Sequence, residues 1–166
     1  MKIRLLQIGI SGAALMASVS AAGQAAPESI SAADPQSVAA AMRYAGYPVE
    51  LKTDSVGDPM IETDFSGYKG YVYFYGCDKE MHQNCDSLQL TGGFDGDKPV
   101  QLNALNGQLS KMRFAAAWVD NEGDPWVQHD IVTLTGIPAP VFLKALDNFS
   151  WALGEIGDAF FQEQEK

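Results

Sequence analysis

The chain is poor in the side chains on which most enzyme chemistry depends. Among 166 residues there are two histidines, His82 and His129, and two cysteines, Cys77 and Cys85. No Gly-x-Ser-x-Gly elbow, His-Glu-x-x-His pair or phosphate-cradling loop occurs. His129 and Asp130 are neighbours in a predicted strand, so their side chains point to opposite faces and cannot form a relay. Asp95-Gly96-Asp97 and Asp120 to Asp124 hold calcium-like carboxylates, but neither repeats the twelve-residue loop with its closing Glu, and both read as turns. An enzyme is therefore the least expected class. No catalytic residue, metal ligand or cofactor is assigned.

Positive charge is also scarce, with 11 Lys and Arg against 21 Asp and Glu, a formal net charge of −10. A surface this acidic repels phosphate backbones, which argues against nucleic acid and anionic membranes as partners. Apolar runs of membrane width are lacking. The stretch Leu5 to Val19, uncharged and rich in Leu, Ile, Ala, Gly and Met, follows Lys2 and Arg4 and leads into small residues. That order is the pattern of a secretory signal peptide, with Gly23-Gln24-Ala25 as the preferred cleavage box and Ser20-Ala21-Ala22 as the alternative. The run is too short and too rich in Gly, Ala and Ser to span a bilayer comfortably. The expectation is a signal peptide over 1–25, a small-residue flexible linker over 26–33 and one domain over 34–166, exported to the periplasm or secreted, with no stable membrane anchor after cleavage. Cleavage removes two basic residues and no acidic one, leaving a net charge of −12.

The two cysteines gain meaning from that compartment. Eight residues apart and between two predicted strands, Cys77 and Cys85 are expected to form a disulfide in an oxidising environment. Paired cysteines in zinc sites usually lie closer together, and the spacing excludes a redox-active CxxC.

Turn residues and periodicity divide the remainder. Asp34-Pro35 opens a helix with Val38, Ala41, Met42 and Ala45 on one face, and Gly46 and Pro48 end it. Strands are predicted over 49–53, 60–65, 68–76 and 87–91, the last closed by Gly92-Gly93. Asp97 and Pro99 signal a second helix running through Ser110. Strands over 112–119 and 126–134 flank the polar loop Asp120 to Pro125. Pro138 and Pro140 introduce a long amphipathic helix with Phe142, Leu146, Phe149, Leu153, Ile156 and Phe160 on one side. The order α-β-β-β(-β)-α-β-β-α points to an α+β fold, an antiparallel sheet covered on one face by helices.

The strand from Tyr71 to Tyr75 alternates. If Val72 and Phe74 face the helices, then Tyr71, Tyr73 and Tyr75 form a row on the open face. Such rows suit recognition, because a rigid ring covers area at low entropy cost. Sheets also use them for cross-strand packing.

Several stretches, taken in order, resemble the YbjN family, described as bacterial sensory transduction regulators, in its signal-bearing periplasmic form. They are Gly57-Asp58-Pro59, Tyr75-Gly76-Cys77, Cys85 before Leu88-Gln89-Leu90, Leu102-Asn103-Ala104-Leu105-Asn106, and Arg113-Phe114. Relatives often carry Trp where Leu105 stands. The resemblance implies a fold like that of type III secretion chaperones, which usually have three strands before the second helix, bind extended polypeptide and often dimerise. It supplies no catalytic residue. The resulting expectation is a non-catalytic binding or regulatory module for a protein or peptide partner, able to form a homodimer. The alternative is a structural or stress-related envelope-assembly factor without a defined ligand.

Overall fold

The computed structural model describes residues 27–165; the segment read as a signal peptide lies outside them. The elements in order are β1 (Ser29–Ile30), α1 (Pro35–Tyr44), β2 (Glu50–Thr53), β3 (Pro59–Phe65), β4 (Tyr68–Tyr75), β5 (Ser87–Gly93), α2 (Leu102–Leu109), β6 (Ala116–Val119), β7 (Pro125–Val132), β8 (Ile137–Pro138) and α3 (Ala139–Gln164). Six strands form one antiparallel sheet in the order β2-β3-β4-β5-β7-β6, and β1 pairs with β8 in a two-stranded ladder. The fold is α+β; the four strands predicted before α2 are all present as β2 to β5, with β1 ahead of them, where the resemblance implies three.

The helices gather on one face for the reason given by their periodicity. Along α3, Phe142, Leu146, Phe149, Leu153, Ile156 and Phe160 recur at helical spacing and are buried. They meet the inward set of the strands: Ile61 and Phe65 of β3, Val72 and Phe74 of β4, Leu88 and Leu90 of β5, and Val127 of β7. Phe65 and Phe149 meet edge-on, with ring centroids 5.0 Å apart. Helix α1 starts as its sequence specifies: Asp34 Oδ1 accepts the Gln36 amide (3.1 Å), and Pro35 occupies the first turn.

Four expectations need correction. The stretch 26–33 is not a linker over its described part: Ile30 and Ala32 are fully buried, and Ser29–Ile30 is hydrogen-bonded to β8. Gly92 and Gly93 do not close β5 but continue it, opposite Gly70 and Trp126. Helix α2 begins at Leu102 and not near Pro99, because Val100 donates its amide to Gly123 O (2.9 Å) and Pro99 packs on Gly123. Strand β6 is confined to Ala116–Val119. Residues before it turn away from the ladder: Met112 N–H closes onto Leu109 O, and the Phe114 ring meets His129.

The two hairpins at the sheet's edges are joined by the same loop, Asp-x-x-Gly-Asp-Pro, at Asp54 to Pro59 and Asp120 to Pro125. In each, the first Asp Oδ1 accepts amides inside the loop: Val56, Gly57 and Asp58 in one, Glu122 and Asp124 in the other. In each, the glycine takes a positive φ, 101° at Gly57 and 93° at Gly123, which a side chain would strain.

Candidate functional site

The helix-free face of the sheet is built by strand alternation. Val72 and Phe74 are fully buried beneath the helices, so Tyr71, Tyr73 and Tyr75 stand on the opposite side, as the alternation predicts. Tyr71 and Tyr73 stack with centroids 5.8 Å apart, and Tyr73 and Tyr75 follow at 6.4 Å. Burial pushes the Tyr73 and Tyr75 hydroxyl pKa values up, so both remain neutral donors at physiological pH. Tyr75 is the most open of the row, at 45 % exposure.

Register adds residues that sequence reasoning missed. Gly93 pairs with Trp126, and Trp126 pairs with Trp118, which places both indoles on the tyrosine face. The two rings stack at 5.7 Å with planes 10° apart, and Trp118 remains 48 % exposed. Trp126 Nε1 donates to Asp120 Oδ2 (3.0 Å), which fixes the ring against the second hairpin loop. Together with the loop amides, that bond holds the Asp120 carboxyl below the usual carboxylate range. Between the tyrosine row and the indole pair runs β5, whose residues on this side are Ser87, Gln89, Thr91 and Gly93. Across β5 the tyrosines look toward Gln128, Asp130 and Val132, and the indole pair stands at the Gly93 end. The small and polar residues of β5 thus form a shallow trough with tyrosines along one side and indoles at one end.

Charge is organised across the same face. Glu62 bridges Lys52 (2.8 Å) and Lys69 (2.9 Å), and Lys69 Nζ also lies 5.5 Å from the Tyr71 centroid. Gln89 Nε2 donates to Asp130 Oδ1 (2.9 Å) in the trough.

Cys77 and Cys85 are joined by a disulfide (S–S 2.05 Å). The loop it closes is internally bonded: Asp78 N donates to Gln83 O, His82 N to Asp78 O, and Asn84 Nδ2 to Asp78 Oδ2. His82 reaches back to the first hairpin loop, with Nδ1 2.7 Å from Asp58 Oδ1 and its ring over Gly57. His82 thus links two loops at one end of the tyrosine row. His129 faces the helix side beside Phe114, where burial lowers its pKa, while Asp130 faces the trough; the two are not a relay.

Among the described residues, no three His, Cys, Asp or Glu side chains come close enough to hold a metal ion. Among them, no helix is long and apolar enough to cross a membrane.

A family model described as "putative bacterial sensory transduction regulator", the YbjN family, matches residues 34–162. The chain belongs to the YbjN family. The match takes in α1, α2, all but the last two residues of α3 and every strand of the six-stranded sheet; β1 alone lies before it. Comparison with curated proteins finds no match. The family description gives YbjN proteins a regulatory role in signal transduction and names no enzymatic one.

Proposed function

We propose that this YbjN-family chain is an exported, non-catalytic binding module that takes an extended protein or peptide segment on the open face of its sheet. The observation that carries this reading is the aromatic content of that face, with Tyr71, Tyr73 and Tyr75 in a row along β4 and the stacked Trp118 and Trp126 on β6 and β7 at the Tyr71 end of β5. Aromatic rings held by their neighbours lose little entropy on binding, and such residues dominate the energetics of interfaces. The trough offers the Gln89 and Asp130 side chains as hydrogen-bonding groups beside the tyrosine row. Export is supported by the Cys77–Cys85 disulfide, a bond that persists in oxidising compartments.

The test is a fluorescence titration of the exported protein, residues 26–166, against an array of unstructured twelve-residue peptides of varied composition. The wild-type chain should bind a subset, and Tyr73→Ser should weaken those complexes roughly ten-fold or more, the scale of a central aromatic anchor. Circular dichroism should show the variant still folded. Absence of binding across the array, equal binding by the variant, or its unfolding would each remove the tyrosine row from the site.

A further inference from the structure

One end of the trough differs from the rest. There Tyr71 and Trp126 form the two walls of a hollow of ≈ 280 Å³, smaller than the ~300–1,000 Å³ typical of drug-sized ligand sites. The floor is Gly93. A side chain at that position would come 2.7 Å from the Trp126 ring, so only glycine lets the indole lean over β5 and keeps the hollow open. Three carboxylates, Asp95, Glu122 and Asp124, stand at the rim with Asp120 behind them. Among the described residues none of these four has a salt-bridge partner. The basic residue at the rim, Lys69, is already held by Glu62 and lies over Tyr71.

Ring faces and unpaired carboxylates share one preference. The Tyr71 ring is already flanked by Tyr73 and Lys69, but the negative face of the Trp126 indole attracts a cation within about 6 Å, and a rim of carboxylates attracts it from further away. The carboxylates do not converge on one point as a metal site requires. That geometry suits a broad organic cation, above all the planar guanidinium, which stacks on aromatic rings and donates to carboxylates around its edge.

We infer that the hollow between Tyr71 and Trp126 is a subsite for a cationic side chain, arginine first and lysine second, so that the partner taken on the open face is a basic polypeptide segment. Charge complementarity selects this occupant, since the chain carries 21 acidic and 11 basic residues. The inference rests on the peptide-binding reading above and adds the partner's chemistry to it.

The experiment uses the exported protein and a peptide of the sequence Thr-Val-Arg-Val-Thr, blocked at both ends, beside copies with citrulline, lysine or glutamate at the centre. Citrulline keeps the shape of arginine and removes its charge. Binding is followed by Trp fluorescence and calorimetry at low and moderate salt, alongside the mixed peptide array. The arginine peptide should bind at least ~10-fold more tightly than the citrulline one, with lysine between them. Salt should narrow that gap. The exposed pair Asp95→Asn with Glu122→Gln, which leaves the packing of Trp126 untouched, should reduce the preference several-fold. Trp126→Phe should weaken arginine more than citrulline. If array peptides bind without regard to charge, the cation subsite is wrong and the peptide-binding face stands. If no peptide binds, both fail. A dimer that shields Trp126, seen as concentration-dependent sedimentation lost in Trp118→Ala, would assign the face to a second copy and overturn the inference.

Discussion

A methyl group added at Gly92 would come 2.8 Å from the Leu153 side chain and 3.2 Å from the Lys69 carbonyl oxygen. On the other face of the same strand, one added at Gly93 would run into Trp126. Two adjacent glycines therefore let α3 approach the sheet from one side and an indole lie flat on the other. Gly107 in α2 has nothing within 4 Å of its missing methyl. The two positions make opposite predictions. Gly92→Ala should cost about 1–3 kcal/mol, the usual scale of forced overpacking. Gly107→Ala should add about 0.5–1 kcal/mol, because alanine holds a helix interior better. Urea unfolding midpoints at constant m-value would check both. If Gly92→Ala left the midpoint unchanged, the close packing of Leu153 on β5 would be refuted.

At the scale of elements, the loop from Cys77 to Cys85 is the connection most dependent on one bond. Its residues lie largely exposed, while Cys85 is buried against the core. Replacing both cysteines by serine should remove about 2–3 kcal/mol, the chain entropy of so short a closed loop. Thermal and urea denaturation of the double variant beside the oxidised wild type would measure it; equal stability would mean that the loop is held by its hydrogen bonds alone. The cysteine pair, the helices and the alternation of β4 were legible in the sequence because each depends on local spacing. Misplaced boundaries arose where a distant partner overrode local preference. The Asp97–Pro99 helix signal lost to the docking of Val100 on Gly123, and the turn signal of Gly92-Gly93 lost to Leu153 and Trp126. The indole pair was missed for a further reason. Starting β7 at Trp126 opposes that residue to Val119, whereas the true pairing sets Trp118 against Trp126. A one-residue difference in register moves a side chain to the other face of a sheet.

Across the whole molecule, the N-terminal end of the described chain is tied to the segment that leads into the last helix. Strand β1 pairs with β8 just before α3, Ala32 N–H donates to Thr133 Oγ1 (2.9 Å), and Ser31 Oγ donates to Leu134 O. A two-residue strand has no periodicity to read, which is why this segment passed for a linker. Ile30→Ala should cost about 2–5 kcal/mol, as for any fully buried aliphatic side chain, and a chain beginning at Ala33 should lose at least as much. Both are measurable as shifts in urea midpoint, and an unshifted midpoint would show that the segment is not part of the cooperative unit. The two Asp-x-x-Gly-Asp-Pro loops sit at diagonally opposite corners of the sheet, one beside Tyr75 and the disulfide loop, the other beside Gly93. Their backbone is set by the aspartates, the glycine and the proline, so the two residues between carry no structural duty. At one corner these are Ser55 and Val56, at the other Asn121 and Glu122. The fold thus contains two sockets of one shape, whose fittings can be exchanged for different charge or polarity while every strand keeps its register.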